Sequence, residues 1–529
     1  MMKINKRAAS DHLIRSAAWG GFDERVDMPH SAPRMKKLSL ILMASLAAGL
    51  ASGQTEAAKT RAMSLTDCVQ EALQRNLELQ IERITPQISA LTLHGAYGGY
   101  DPSFSLSGQH DFRLSGGGID PTTQFQIPGT ESDSQSFRSG LAGLAPWGLG
   151  YELFGNISEN TAMFGTNRSD TTRGSVGINL EQPLLKNFWI DSTRLKVAIS
   201  KNRLQYSELG LRGKMMSIIT AVEKAYYDLI AAKENVKVQE KALQLADQNL
   251  AENKKRVEVG TLAPLDEKQS ESQVARVKAD LLTAQKAVSA AHNALRGLLN
   301  ARFEEAFEPT EQLAAPALQF SVLESLRKAM DQRPDLVQAK LDLEQQGFQL
   351  KYDRNQLFPQ LDLVGSYGHS AGGASVTEFS DGFNEYRMGN HPFYSFGAKL
   401  TVPLSNRSAR DAYKISKLQK EKSLLLVKQM EDSIVYEVDN NVTAAKTSFD
   451  SLDSRRQARL YAEAALEAEQ KKLENGKSTS FVVLQLQKNL TEARSGEIQA
   501  LADYNKALAD LARSEGSTLE RRGVNVEVK

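Results

Sequence analysis

One cysteine, Cys68, is present in 529 residues. A disulfide within the chain is therefore excluded, and so is a cysteine-based zinc site. Neither sign of charge dominates, with 65 Lys and Arg against 64 Asp and Glu. A nucleic-acid-binding chain needs a basic surplus, so no nucleic-acid partner is expected. Aromatic residues make up only 7%, and the seven histidines are scattered, with no HExxH pair. No Walker A or GxGxxG motif occurs, so no cofactor site and no enzyme are expected. Long apolar runs are nearly missing as well. Leu38–Ala51 is too short to cross a bilayer, which takes about 20 residues. It follows Met35-Lys36-Lys37 and precedes Ala51-Ser52-Gly53, the layout of a secretory signal. Residues 1–34 read as an over-extended start and 35–53 as the signal peptide, with the mature chain beginning near Gln54. Cys68 lies too far beyond the apolar run to be a lipid anchor.

What the sequence does have is internal repetition. Ser64-Leu-Thr-Asp67 resembles Ser321-Val-Leu-Glu324, and both read as capping boxes. The same offset carries Ala72-Leu73 onto Ala329-Met330, Pro102 onto Pro359, Leu106 onto Leu363 and Gly108 onto Gly365 without a gap. At a shorter offset, Ser175–Leu180 with Pro183-Leu184 mirrors Ser395–Leu400 with Pro403-Leu404. Val259-Gly260-Thr261 then faces Asn475-Gly476-Lys477. The chain reads as two copies of one unit, 54–310 and 311–515, followed by a tail, 516–529. Copy one carries a longer insert between its strands.

Each unit opens with a short capped helix, 65–75 or 322–332, then a second helix, 77–97 or 335–356. Pro86 lies inside the former, where a kink is expected. Strands follow, at 101–184 and 359–404. Phe104, Leu106, Phe112 and Leu114 alternate with Ser105, Ser107, Gln109 and Asp111. Ile178 and Leu180 alternate with Asn179 and Glu181, and Leu400 neighbours Lys399. Period-two segments of about ten residues suit a membrane barrel; a soluble β-sandwich alternates equally well. On the barrel reading the polar set faces water and the apolar set lipid. Trp147, Phe188 and Trp189 then fall near the periplasmic boundary, since Trp favours that interface. The stretches 115–135, 159–173 and 368–392 read as surface loops. The last holds His369 and His391; a metal site there is an option, although isolated loop histidines are usually solvated. Residues 137–158, around Pro146-Trp147-Gly148, form an extra hairpin that either joins the barrel or packs elsewhere.

Two helical hairpins complete the pattern, 191–300 and 407–514. Leu229, Val236, Leu243, Leu250 and Val257 form a heptad seam. The long arms run without proline to Gly260 and Gly476, where helices commonly end. Each would be about 100 Å long at the standard rise. By length, 265–300 stacked on 335–356 nearly matches one long arm, and 480–514 would then stack on 77–97. Lipid cannot satisfy an open sheet edge, so four or six strands per chain must close with other copies. Three copies give twelve strands, or eighteen if the hairpin joins.

With this layout the sequence resembles the TolC-type outer-membrane efflux protein family over about residues 60–515. Specific points of likeness are Val259-Gly260-Thr261 followed by Asp266, and Gln182-Pro183-Leu184-Leu185 leading out of a strand. The resemblance implies an α+β membrane protein, a TolC-like trimeric β-barrel continued by a long α-helical coiled-coil barrel, built from two internal repeats. It also implies a homotrimer embedded in outer-membrane lipid, a periplasmic adaptor and an inner-membrane pump as partners, and passive export. The tip residues Gly260, Thr261, Asp266, Gly476 and Lys477 become the candidate periplasmic gate. The family carries acids six and nine positions after the second-tip glycine; here those positions hold Val482 and Gln485. Asp266 is expected to pair with Lys471, Lys472 or Lys477 and to help hold the tips shut. The rival reading is a periplasmic adaptor-like coiled-coil protein.

Overall fold

The computed structural model describes residues 60–372, 376 and 378–524. The expected start 1–34 and signal peptide 35–53 lie outside the described residues. The chain separates into residues 1–57 and 58–529, and everything below belongs to the second unit.

A short strand, β1 (Thr60–Met63), leads into α1 (Leu65–Arg75) and α2 (Leu77–Tyr97). Ser64 closes the expected capping box: its hydroxyl accepts from Asp67 N, and the Asp67 carboxylate accepts from Ser64 N. Asn76 ends one helix and caps the next by accepting from Leu79 N at 3.1 Å. Helix α2 continues through Pro86. A 3-10 turn, Gly98–Tyr100, leads to β2 (Ser103–Ser115). A small hairpin, β3 (Gly118–Ile119) and β4 (Gln126–Ile127), precedes β5 (Thr130–Leu144), β6 (Gly150–Phe164) and β7 (Asn167–Pro183). Then come α3 (Ser192–Glu258), α4 (Pro264–Leu299) and β8 (Ala306–Pro309). The second half runs α5 (Val322–Gln332), α6 (Pro334–Asn355), β9 (Gln360–Gly372), α7 (Phe379–Met388) and β10 (Pro392–Thr401). It ends with α8 (Arg407–Glu474), α9 (Ser480–Glu515) and α10 (Thr518–Arg521).

Six strands form one antiparallel sheet in the order β10-β9-β7-β6-β5-β2. The extra hairpin expected at 137–158, here β5 and β6, lies inside this sheet, so the alternative in which it packs elsewhere is set aside. The expected loops at 130–135, 159–164 and 167–172 are strand instead. There both faces are polar, with Glu131, Ser132, Asp133, Glu159, Asn160 and Asp170. Ladder hydrogen bonds hold the strands, but no alternation survives to announce them. The expected loop 368–392 contains the end of β9 and helix α7.

Helices α3 and α8, 67 and 68 residues long, span about 100 Å each. Both lie beside shorter helices stacked in pairs, but not the pairs expected. Asn76, at the start of α2, donates to Leu298 O at the end of α4. Arg333, at the start of α6, donates to Ser514 O at the end of α9. The columns are therefore α2 on α4 and α6 on α9. Chain order misled because the linker after α4 crosses α3 before α5 begins. Lys233 of α3 donates to Phe307 O of that linker at 3.0 Å, and Tyr504 of α9 donates to Pro316 O.

Around this crossing lies the main core. Met63, Leu65, Cys68, Leu79, Ile219, Leu229, Leu295, Leu299, Phe307 and Leu519 are buried together. Each buried Leu or Phe contributes about 1.5–3 kcal/mol relative to exposure. Burial pushes the Cys68 thiol up to about 12, so it is inert at neutral pH. Two features of this region have no sequence forecast. β1 and β8 pair as a parallel two-stranded sheet. The tail reverses at Gly516 (φ 81°), buries Leu519 and pairs Arg522 with the buried Glu223. Ala329, Leu336, Ile434, Val438, Tyr504 and Leu508 make the corresponding core of the second half. The second capping box is only half formed. Ser321 Oγ accepts from Glu324 N, but the Glu324 carboxylate turns to Lys328.

Candidate functional site: the sheet faces, the hairpin seam and the tips

The ladder register sorts the strand side chains onto two faces. Phe104 lies opposite Leu141, then Leu153, Ile178, Tyr367 and Tyr394. Leu106, Phe112, Val176, Leu180, Leu363, Phe396 and Leu400 share this face, and Phe104, Leu106, Tyr394 and Phe396 stand well out from it. The other face carries Ser105, Ser107, Gln109, Asp111, Arg138, Glu152, Asn179, Glu181, Ser366 and Lys399. Every residue assigned to either set from alternation falls on its own face.

At the end of the sheet nearest the helices, Arg194 organises the turn from strand to long helix. It pairs with Asp191 at 2.7 Å and donates to the carbonyls of Asn187, Phe188 and Trp189. Trp189 is left exposed against the edge of Phe188, and Trp147 is exposed in the β5–β6 turn. Both tryptophans thus sit where the sheet meets the helices.

The two helical hairpins meet along α3 and α9, and polar pairs run the length of that seam. Lys224 meets Asp510 at 2.6 Å and Asp228 meets Lys506 at 2.8 Å. Ser495 Oγ donates to Asn235 Oδ1 at 2.7 Å, and Asn249 Nδ2 to Gln487 Oε1 at 2.8 Å. Nearest the tips, Asn253 Nδ2 donates to Ser270 Oγ and to Ser480 Oγ, both at 2.8 Å. Asn253 and Ser270 are buried. This amide uses both its hydrogens, one inside the first hairpin and one across to the second. Sequence reading missed it, because Asn253 lies off the heptad seam Leu229, Val236, Leu243, Leu250 and Val257, in a row that also holds the polar Gln239.

The tips themselves are a matched pair. Gly260 (φ 77°) and Gly476 (φ 68°) adopt the left-handed conformation. Gly260 N donates to Val257 O and Thr261 N to Arg256 O; Gly476 N donates to Leu473 O and Lys477 N to Lys472 O. These are Schellman closures, which satisfy the last helical carbonyls. Helix α4 starts at Pro264, suited to the first helical position, with Asp266 in its first turn. Thr261, Gly476 and Lys477 are exposed and Asp266 is half-buried. Within the chain, Asp266 forms no ion pair with the second tip among the described residues. Lys471 pairs with Glu467 at 2.7 Å and Lys472 with Glu469 at 2.9 Å, acids one turn away on their own helix. Leu265 and Phe481 are exposed beside the tips.

His391 lies 3.5 Å from Glu385. No group of three or more His, Cys, Asp or Glu side chains suited to a metal occurs among the described residues. Gly368-His369-Ser370-Ala371-Gly372 has the letters of a GxSxG motif, which the sequence reading passed over. A nucleophile elbow needs a strand-to-helix turn; this segment lies inside β9, and Ser370 Oγ donates to His391 O at 3.3 Å.

A sheet with one apolar face, continued by two very long hairpins with closed tips, defines a class of outer-membrane channel proteins. The sequence profile described as "Outer membrane efflux protein" matches residues 142–301 and 325–517, and the chain belongs to that family. Outer membrane protein TolC of Vibrio cholerae is 25% identical over 378 residues, covering 69% of this chain and 83% of that protein. Outer membrane efflux protein BepC of Brucella suis is 22% identical over 357 residues, covering 67% and 75%. Among solved structures, the Campylobacter jejuni CmeC outer membrane channel superposes with a TM-score of 0.61 at 16% identity, covering 86% of each chain. The protein is accordingly an outer-membrane efflux channel component with a periplasmic part.

Proposed function

We propose that three copies of this chain close into a ring, forming a passive export duct that crosses the outer membrane and the periplasm. The observation that carries the proposal is the pair of unmatched edges. The sheet ends at β2 on one side and β10 on the other. In the helical layer α2 and α4 pack on α3, while α6 and α9 pack on both α3 and α8; α2 leads into β2 and β10 leads into α8. Leu77, Ile81, Ile84, Ile88 and Leu91 form a stripe along α2, each more than half exposed. On α8, Ile415, Leu418, Leu425 and Tyr436 are likewise more than half exposed, on the side opposite the buried Val427, Ile434 and Val438. Unlike edges facing opposite ways make a head-to-tail contact, which closes into a ring when the rotation is right. Three six-stranded sheets would give an eighteen-stranded barrel, within the range of bacterial barrels. Its apolar face would meet lipid and its polar face water, with the helices continuing as a coiled-coil barrel.

The duct makes and breaks no bonds. Its cargo, small toxic compounds or secreted polypeptides, is set by the inner-membrane pump reached through a periplasmic adaptor. The adaptor would engage the tips at Gly260, Thr261, Asp266, Gly476 and Lys477 and part the hairpins there. The test is an unboiled gel and a mass measurement on protein extracted from outer membranes, followed by conductance in planar bilayers. A heat-sensitive band at three chain masses, with conductance, is expected. A monomer without conductance would overturn the reading and favour an adaptor-like coiled-coil protein.

A further inference from the structure

Among the described residues, α7 is the one α-helix that lies on the six-stranded sheet, and its position there is specific. It crosses the apolar face of the sheet. Phe379 at its start stacks edge-on with Phe137 of β5 at 5.5 Å. Gly382 is buried where a side chain would strike Ile157 of β6 and crowd Thr172 of β7. Tyr386 OH donates to Asn156 O at 2.8 Å, a reach open only because Gly174 has no side chain in the way. Gly389, left-handed at φ 67°, ends the helix against His369 of β9. Positions 379, 382 and 386 thus face the sheet, while Phe383, Asn384, Arg387 and Met388 face away and are exposed.

The row under α7 is where this face changes character. Towards the helical layer it carries Leu141, Leu153, Val176, Ile178 and Leu180. Beyond α7 it carries Gln135, Asp133, Glu131, Glu159, Thr161, Asp170 and Arg168. Past this row only Phe112 and Leu114 on the edge strand β2 and Met163 on β6 are apolar among the large side chains of β2, β5, β6 and β7 on this face. From Gly150 to Ile157 the strand spans about 25 Å, the order of the apolar band that a barrel shows to lipid.

We infer that α7 is a membrane-surface helix, lying flat on the outer wall at the boundary between the acyl chains and the phosphate-bearing headgroups of the outer leaflet. The inference rests on the barrel orientation proposed above. Phe383 and Met388 enter the acyl boundary. Arg387, which has no ion pair among the described residues, meets headgroup phosphate. The polar residues on the same exposed side suit a helix that lies at such an interface and does not cross it.

Spin labels on single cysteines in proteoliposomes test this. Cys68 is buried and does not compete for the label. Phe383→Cys is compared with Leu153→Cys, in the apolar band, and Met163→Cys, in the polar extension. Accessibility to oxygen relative to a water-soluble nickel reagent is the readout. The ratio at Phe383→Cys should lie several-fold above that at Met163→Cys and below that at Leu153→Cys. A ratio at Phe383→Cys equal to that at Met163→Cys, with Leu153→Cys still lipid-like, would place α7 in water and overturn the inference alone. A water-like reading at Leu153→Cys would instead overturn the barrel orientation, and the inference with it.

Discussion

Asn253 makes a sharp test of how the tips are held. Its amide bonds Ser270 within the first hairpin and Ser480 at the start of α9 in the second. Parting the hairpins breaks only the second bond, because Ser270 travels with Asn253. A buried neutral hydrogen bond has a net worth of about 0.5–1.5 kcal/mol. In the proposed trimer, three copies would therefore contribute roughly 1.5–4.5 kcal/mol to the closed state, since distant sites add. At tenfold per 1.4 kcal/mol, Asn253→Ala should raise the open-to-closed ratio by roughly ten- to a thousandfold. Single-channel recordings of the purified channel read this directly as open probability. Ser480→Ala should reproduce the effect, and the double variant should add little to either single one. Ser270→Ala should change open probability far less, because Ser270 Oγ is also anchored to Asp266 O at 2.9 Å and does not cross the seam. If Asn253→Ala and Ser480→Ala both leave open probability unchanged in the purified channel, the seam near the tips does not hold the proposed gate.

Three further outcomes are expected. Ile84→Asp with Ile88→Asp should abolish the heat-sensitive trimer band while leaving the circular dichroism of the chain helical, because both side chains are exposed in one copy and a charge buried unpaired between copies costs several kcal/mol. Gly148→Ala should lower thermal stability by about 1–3 kcal/mol. Gly148 has φ 92°, and a side chain there strikes Arg194, which four bonds already hold in place; an unchanged melting temperature would contradict this. Burial, then Lys233 and Arg296, hold His292 below its ordinary 6.5. The unfolded chain therefore takes up this proton first as pH falls below about 6.5, and stability declines there. His292→Gln should show a shallower fall in melting temperature than the unmodified protein, and parallel curves would refute the assignment.

Local signals carried most of the element boundaries. The bounds of α1, α2 and α5 follow from a cap, a break and an apolar period, and the long arms follow from an unbroken proline-free seam ending in glycine. The strands were legible only where one face is apolar. Above that band Ser, Thr, Asn and Asp occupy both faces, and strand and loop look alike. Helix α7 hid in a Gly-rich stretch for a related reason: ten residues give too little period, and its partner is the sheet, not a helix. Which columns stack was not legible, because stacking depends on where the linker crosses α3, and the contacts of Lys233 and Tyr504 that fix the crossing are long-range. Of the candidate site, the tip glycines were readable as helix stops. Asn253 was not legible, since its two partners sit in two other helices, α4 and α9.

The stacking of α2 on α4 and of α6 on α9 has a consequence for symmetry and descent. Each half of the chain owns a full-height strip, its long helix beside its own two-piece column. The proposed ring of three chains would then have six strips of similar build, so half-length chains could in principle have tiled it sixfold. Fusing two strips into one polypeptide replaces that equivalence with alternation. The inserted hairpin β5–β6 belongs to one kind of strip and the wall helix α7 to the other. A sixfold ring would have to carry both features on every strip or on none. In the proposed ring the covalent link would thus let neighbouring sectors of one wall diverge, one adding circumference and the other dressing the outside.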